Sequence, residues 1–156
     1  MRMAGTRLSG VYENSIDLKS RIVIPQDFRI ALGEDTPVYF TYSFENCIRI
    51  YTEENYDVLY DKIEKKREEG EDTSALQALF IRPARKVTYD TAGRLLIPGD
   101  MKYRARITDE DRETVVVGCI DHLEIWNKAE YYANVDQYFD VKQDLARESV
   151  RSIGAT

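Results

Sequence analysis

Two short stretches of this chain set an acid and a base at a spacing that a tight turn brings together. Asp17-Leu18-Lys19-Ser20-Arg21 and Asp90-Thr91-Ala92-Gly93-Arg94 each place an aspartate four residues ahead of an arginine. In such a turn the carboxylate can accept backbone N–H groups and hold the loop's shape. The guanidinium beside it is then a planar fork that matches phosphate oxygens or a guanine edge. The same pair also suits an internal salt bridge that fixes the turn and binds nothing. Nearby cations favour the first reading, because a purely structural bridge needs none of Lys19, Arg82, Arg85, Lys86, Lys102 or Arg104. Catalytic chemistry has little to work with. The lone histidine, His122, opens an expected strand, Cys47 and Cys119 lie in apolar stretches, and no P-loop, GxGxxG or HExxH is present. No catalytic residue, cofactor or metal is expected, and the cysteines read as buried free thiols of a reducing cytoplasm.

The charge distribution bears on the partner. The net charge of −6 argues against nucleic acid, but it is strongly segregated. Residues 1–30 carry five Lys/Arg against three Asp/Glu, and residues 82–106 carry seven against two. The remaining stretches are acidic. Affinity for DNA depends on where cations sit, since neutralised phosphates release counterions locally. Two basic islands between repelling flanks are compatible with a DNA-binding face. No apolar run approaches the ~18 residues needed to span a bilayer, and the first ten residues lack the apolar stretch of a secretory signal.

The basic islands are one motif written twice. Asp17 to Pro25 aligns with Asp90 to Pro98 at an offset of 73, and Ile48-Arg49-Ile50-Tyr51 aligns with Leu123-Glu124-Ile125-Trp126 at 75. Two copies suggest pseudo-two-fold symmetry, each half completing the other's core. In each copy a strand (Val11–Ile16, Arg85–Tyr89) runs into the tight turn. An apolar triplet (Ile22-Val23-Ile24, Leu95-Leu96-Ile97) follows, whose two apolar faces suit a strand buried in a closed barrel. Pro25 and Pro98 suit the first position of short helices that turn Phe28 with Leu32, and Met101 with Ala105, inward. Strands at Val38–Tyr42, Cys47–Tyr51, Thr114–Gly118 and His122–Trp126 complete the halves. Thr52 and Asn127 are expected to cap longer helices, and Ser74 a shorter one. Tyr131, Tyr132, Val135, Tyr138 and Phe139 then form a stripe suited to core or subunit interface. The organisation is a 1–10 N-terminal extension, a first repeat at 11–81, a second at 82–140, and a 141–156 tail.

With its doubled Asp-x-x-x-Arg-apolar-apolar-Ile-Pro motif, Gly10-x-Tyr12 and Glu124-Ile125-Trp126, the sequence resembles the MraZ family within the SpoVT/AbrB-like regulators. The likeness runs from about Leu8 to Phe139. It implies an α+β, β-rich fold, a swapped-hairpin barrel with flanking helices, assembled into homo-oligomeric rings. It implies a cytoplasmic, nucleoid-associated protein that binds repeated short sites on double-stranded DNA. The sites lie upstream of a division and cell-wall gene cluster, which the protein represses. Carried over by residue, the DNA-contacting turns are Asp17 to Arg21 and Asp90 to Arg94. Arg21 and Arg94 are the principal contacts, with Asp17, Lys19, Asp90, Arg85 and Lys86 around them. Ser20 stands where the family usually has glycine, while Gly93 keeps it. If that position needs positive φ, Ser20 costs on the order of 1 kcal/mol. A protein-interaction scaffold without DNA binding is the competing reading. An antitoxin-like AbrB-type regulator is another, against which two motif copies in one chain argue.

Overall fold

The same succession of elements occurs twice along the chain. The computed structural model describes residues 7–154. The first half contains β1 (Leu8–Ser15), β2 (Arg21–Val23), α1 (Gln26–Leu32), β3 (Val38–Thr41), β4 (Cys47–Thr52), α2 (Glu53–Glu68) and α3 (Ser74–Phe80). The second half contains β5 (Arg85–Val87), β6 (Arg94–Leu96), α4 (Gly99–Arg104), β7 (Glu113–Ile120), β8 (Leu123–Asn127), α5 (Lys128–Asp140) and α6 (Gln143–Ser152). The fold is α+β and strand-rich.

The halves are interleaved. One antiparallel sheet runs β1-β7-β8-β4-β3-β5, and β2 pairs with β6 in a separate two-stranded ribbon. Exchanging each strand for its counterpart reverses the six-strand order into itself, as pseudo-two-fold symmetry demands. β1 pairs with β7 and β5 with β3, so the first strand of each half lies on the third strand of the other. β4 pairs with β8 across the centre, Ile48 opposite Ile125.

The closed barrel expected from the apolar triplets is not formed by this pairing. Among the described residues β1 and β5 are the edges of an open sheet. The triplets pair apart from that sheet and bury only one face each. Ile22, Ile24, Leu95 and Ile97 are buried, whereas Val23 is 45% exposed and Leu96 58%. The ribbon therefore has an inner apolar face and an outer face open to water. The inner face joins one core drawn from both halves, with Ile16, Phe28, Leu32, Phe40 and Ile50 meeting Met101, Ala105, Val116 and Ile125. Cys47, Val115, Val117 and Trp126 form a smaller cluster partly covered by Tyr131.

Local chemistry explains the element ends. Thr52 Oγ1 accepts the Asn55 N–H at 3.0 Å, and Asn127 Oδ1 accepts the Glu130 N–H at 3.1 Å, so both long helices start where expected. At α3 it is Asp72 that accepts, from the Ser74 N–H at 3.0 Å and the Ser74 hydroxyl at 2.6 Å; Ser74 is the first helical residue, not the cap. Pro25 and Pro98 stand one position before their helices, where a missing N–H is equally harmless. The stretch 1–10 set apart as an extension already contributes Leu8 to Gly10 to β1; residues 1–6 lie outside the described residues. The tail from Val141 contains a full helix, α6, with no buried residue.

Ile22 and Leu95 face each other in register at the centre of the ribbon. Replacing either by alanine is expected to lower unfolding stability by ~2–5 kcal/mol. The two effects should be non-additive in the double variant, because the side chains share one environment. Denaturant unfolding should also stay a single transition; two separable transitions would mean two independent cores.

Candidate nucleic-acid interface

Both Asp-x-x-x-Arg turns adopt one geometry. Asp17 Oδ1 accepts the Lys19 and Arg21 N–H groups, each at 2.9 Å, and Oδ2 accepts Arg21 Nε at 2.8 Å. Asp90 does the same with the Ala92 N–H, the Arg94 N–H and Arg94 Nε, at 2.9, 2.9 and 2.8 Å. Backbone bonds close each loop, Ser20 N–H to the Asp17 carbonyl and Gly93 N–H to the Asp90 carbonyl, both at 3.0 Å. The Arg21 N–H is the main influence holding the Asp17 carboxyl below its usual range, aided by the Arg21 side chain and Lys19 N–H against some desolvation. Asp90 is lowered in the same way, first by the Arg94 N–H.

The salt bridge and the outward fork turn out to be compatible. Each bridge uses Nε, one of the five guanidinium donors, and leaves the Nη groups free of the aspartate. The Arg21 and Arg94 side chains remain 28% and 31% exposed. Antiparallel register sets Arg21 opposite Leu96 and Val23 opposite Arg94. These four residues share the outer face, since the buried Ile22 and Leu95 point the other way. A two-stranded ribbon is an element that the DNA major groove admits, and arginine is the side chain that pairs with a guanine edge.

Each turn is braced by the other half's short helix. Lys102 of α4 donates from Nζ to Ser20 Oγ at 2.8 Å. Its counterpart Arg29 of α1 packs on Gly93, where an added Cβ would overlap the Arg29 Nη1. Ser20 and Gly93 both have positive φ, 64° and 76°. The first turn is thus not reshaped by serine; it tolerates the left-handed conformation while gaining the Lys102 bond. Sequence reading named Lys102 only as a nearby cation and missed Arg29. The repeat offset was the available signal, since Arg29 and Lys102 are 73 apart, as Asp17 and Asp90 are.

The remaining expected residues are less closely tied to the turns. Arg85 pairs with Asp100, and Lys86 lies 3.9 Å from Glu53. Arg104 stacks over Tyr42 at 4.7 Å. Grooves flank both turns but differ in charge. The one beside Ser20, about 750 Å³, is lined by Lys19, Lys102 and Arg106 with Asp109. The one beside Gly93, about 330 Å³, holds Arg29 among Glu34, Asp35 and Asp90. Catalytic thiol chemistry finds no support, as burial raises the Cys47 thiol and pushes Cys119 up to about 12.

Gly93→Ala should destabilise the protein by ~1–3 kcal/mol through positive φ and overlap with Arg29, more than Ser20→Ala, which loses a single hydrogen bond of ~0.5–1.5 kcal/mol. Thermal denaturation of the two variants checks the order. Because the folded pKa values of Asp17 and Asp90 are depressed, their contribution to stability is present above the unfolded value and is lost as pH falls through the folded one. The Lys19, Arg21, Ala92 and Arg94 amide resonances should accordingly titrate with midpoints below 3.8, the ordinary aspartate value.

The comparisons with known proteins agree with this duplicated architecture. The family model described as "MraZ protein, putative antitoxin-like" matches twice, over residues 8–78 and 80–151. The "Transcriptional regulator MraZ" of Clostridium tetani (strain Massachusetts / E88) is 31% identical over 134 residues, covering 86% of this chain and 91% of that protein. Proteins of the same name from Thermoanaerobacter sp. (strain X514) and Lachnoclostridium phytofermentans are each 32% identical, covering 85% and 84% of this chain and 92% of their own lengths. With both halves matched and relatives aligned nearly end to end, this chain belongs to the MraZ family.

Proposed function

We propose that this protein is a non-enzymatic, sequence-specific DNA-binding transcriptional regulator. In this reading Arg21 and Arg94 read base edges from the ribbon's outer face. Asp17 and Asp90 hold the turns, Lys19 meets phosphates, and Lys102 keeps its bond to Ser20. The observation that carries the reading is the pair of equivalent turns, each aspartate taking one guanidinium donor and leaving the Nη groups free of it on a partly exposed side chain. The name shared by the relatives supports the regulatory role. The motif resemblance supports repression of its own division and cell-wall cluster at the nucleoid, through repeated upstream sites. Arg85 and Lys86 act as outlying phosphate contacts once their partners Asp100 and Glu53 yield.

The C-terminal helices support a reading of assembly. Tyr138, Phe139, Val141, Leu145 and Ile153 are exposed on α5, α6 and their margins. Apolar side chains left uncovered in this density suit subunit contacts, here those of a homo-oligomeric ring. Several subunits engaging several repeats raise the effective concentration of each site without any new contact.

Arg21→Ala and Arg94→Ala should each weaken binding to the chain's own upstream DNA by about 5- to 150-fold, the ~1–3 kcal/mol of a base-reading contact, with folding and mass unchanged. Mobility shifts at two salt concentrations check this, and affinity should fall steeply with salt. Fragments carrying more repeats should bind far more tightly. Unchanged binding by both variants, with lowered thermal stability, would reduce the motif to a structural bridge.

A further inference from the structure

Away from the ribbon, one side-chain cluster is made of metal-ligating types and takes no part in the DNA-facing turns. β7 and β8 meet in a two-residue turn, Ile120-Asp121, closed by the Cys119 N–H donating to the His122 carbonyl at 2.9 Å. The Asp121 N–H also donates to the Cys119 carbonyl at 2.8 Å, with Ile120 at φ 70°, a strained conformation for a β-branched residue. Asn55 of α2 clamps the turn by donating from Nδ2 to the Asp121 carbonyl at 2.9 Å. As a result Cys119 Sγ, a His122 ring nitrogen and a Glu124 carboxylate oxygen all lie within 4.8 Å of one another.

The donor set and its surroundings match one class of ion. Thiolate, imidazole and carboxylate together suit zinc rather than calcium or magnesium, which take oxygen ligands. His122 Nε2 lies 3.0 Å from Glu124 Oε2. Ligands on a tetrahedron with bonds of about 2.0–2.1 Å are about 3.3 Å apart, so this pair needs only a few tenths of an ångström of opening, and Cys119 Sγ lies within 4.8 Å of both. Asp121 Oδ1, 2.7 Å from Nδ1, stands where an outer carboxylate orients a ligating imidazole. Trp126 Nε1 donates to the other Glu124 oxygen, Oε1, at 2.8 Å and leaves Oε2 for the ion. His122 and Glu124 are 10% and 13% exposed and Asp121 68%, so the cluster is reached from the Asp121 side. Arg49, 3.9 Å from Glu124, and a divalent cation together balance the Cys119 thiolate, Glu124 and Asp121.

We propose that Cys119, His122 and Glu124 bind one zinc ion at the tip of the β7–β8 hairpin, with Asp121 as a positioning residue and water as the fourth ligand. On binding, the ion replaces the Cys119 thiol proton, which leaves to solvent, and inserts between His122 and Glu124. It ties the hairpin tip together independently of DNA. The test is to titrate the reduced full-length protein with cobalt(II) without oxygen, then add zinc. A thiolate-to-cobalt charge-transfer band should saturate at one equivalent and vanish with zinc. Cys119→Ala and His122→Gln should lose saturable binding, with far-ultraviolet circular dichroism confirming that both are folded. Asp121→Asn should keep the band at about 10–100-fold lower affinity, and Cys47→Ala should match the native chain. No saturable band in the native protein overturns the proposal. So does a band that survives Cys119→Ala but disappears with Cys47→Ala, which would move the ion to the neighbouring Glu45, Cys47 and Glu124 group.

Discussion

The antiparallel contact between Arg21–Val23 and Arg94–Leu96 is three residues long on each side, yet both turns depend on it. Ile22 and Leu95 meet at its centre with no solvent exposure, drawing the two Asp-x-x-x-Arg loops toward one core. Had the triplets buried both faces, the arginines beside them would have been carried inward at a large desolvation cost. Because only one face is buried, Arg21 and Arg94 emerge on the other side at symmetric positions. The hydrophobic effect thus fixes the orientation of charged groups it never touches.

Interleaving the halves has a further consequence for rigidity. Lys102 holds the turn of the first half and Arg29 packs on that of the second, although each belongs to the opposite repeat. Neither turn can be displaced without disturbing the other half's helix. The proposed role in reading DNA would benefit from such restraint, since ordering a loose loop on binding subtracts from affinity. The braces differ in chemistry: an ammonium on a serine hydroxyl in one case, a guanidinium over a glycine in the other. The grooves beside them consequently differ in charge, and the duplicated site has become two unlike sites.

Much of this arrangement was legible in the sequence, for identifiable reasons. The strands, helix caps at Thr52 and Asn127, and inward positions of Phe28, Leu32, Met101 and Ala105 follow from local periodicity and capping chemistry, and all were found. The sharing of one core followed from the repeat. What local pattern does not encode is the partner of each strand. The exposure of Val23 and Leu96 depends on no described residue covering the ribbon's outer face, and three apolar residues in a row carry no sign of that. The brace by Arg29 was hidden because a long side chain acting across the repeat boundary looks, in sequence, like any surface cation. The convergence of Cys119, His122 and Glu124 likewise depends on a hairpin turn whose first residue, Ile120, is a β-branched type that rarely takes positive φ.

The claim that one shared ribbon governs both turns is tested most directly by amide hydrogen exchange after a conservative change on one side. Ile22→Val removes a single methylene, worth ~0.5–1.5 kcal/mol at a buried site. If the ribbon couples the halves, exchange at Lys19 and Arg21 should accelerate by about 2- to 12-fold, and Ala92 and Arg94 should accelerate by the same factor. Acceleration confined to Lys19 and Arg21, with the second turn unchanged, would contradict the account.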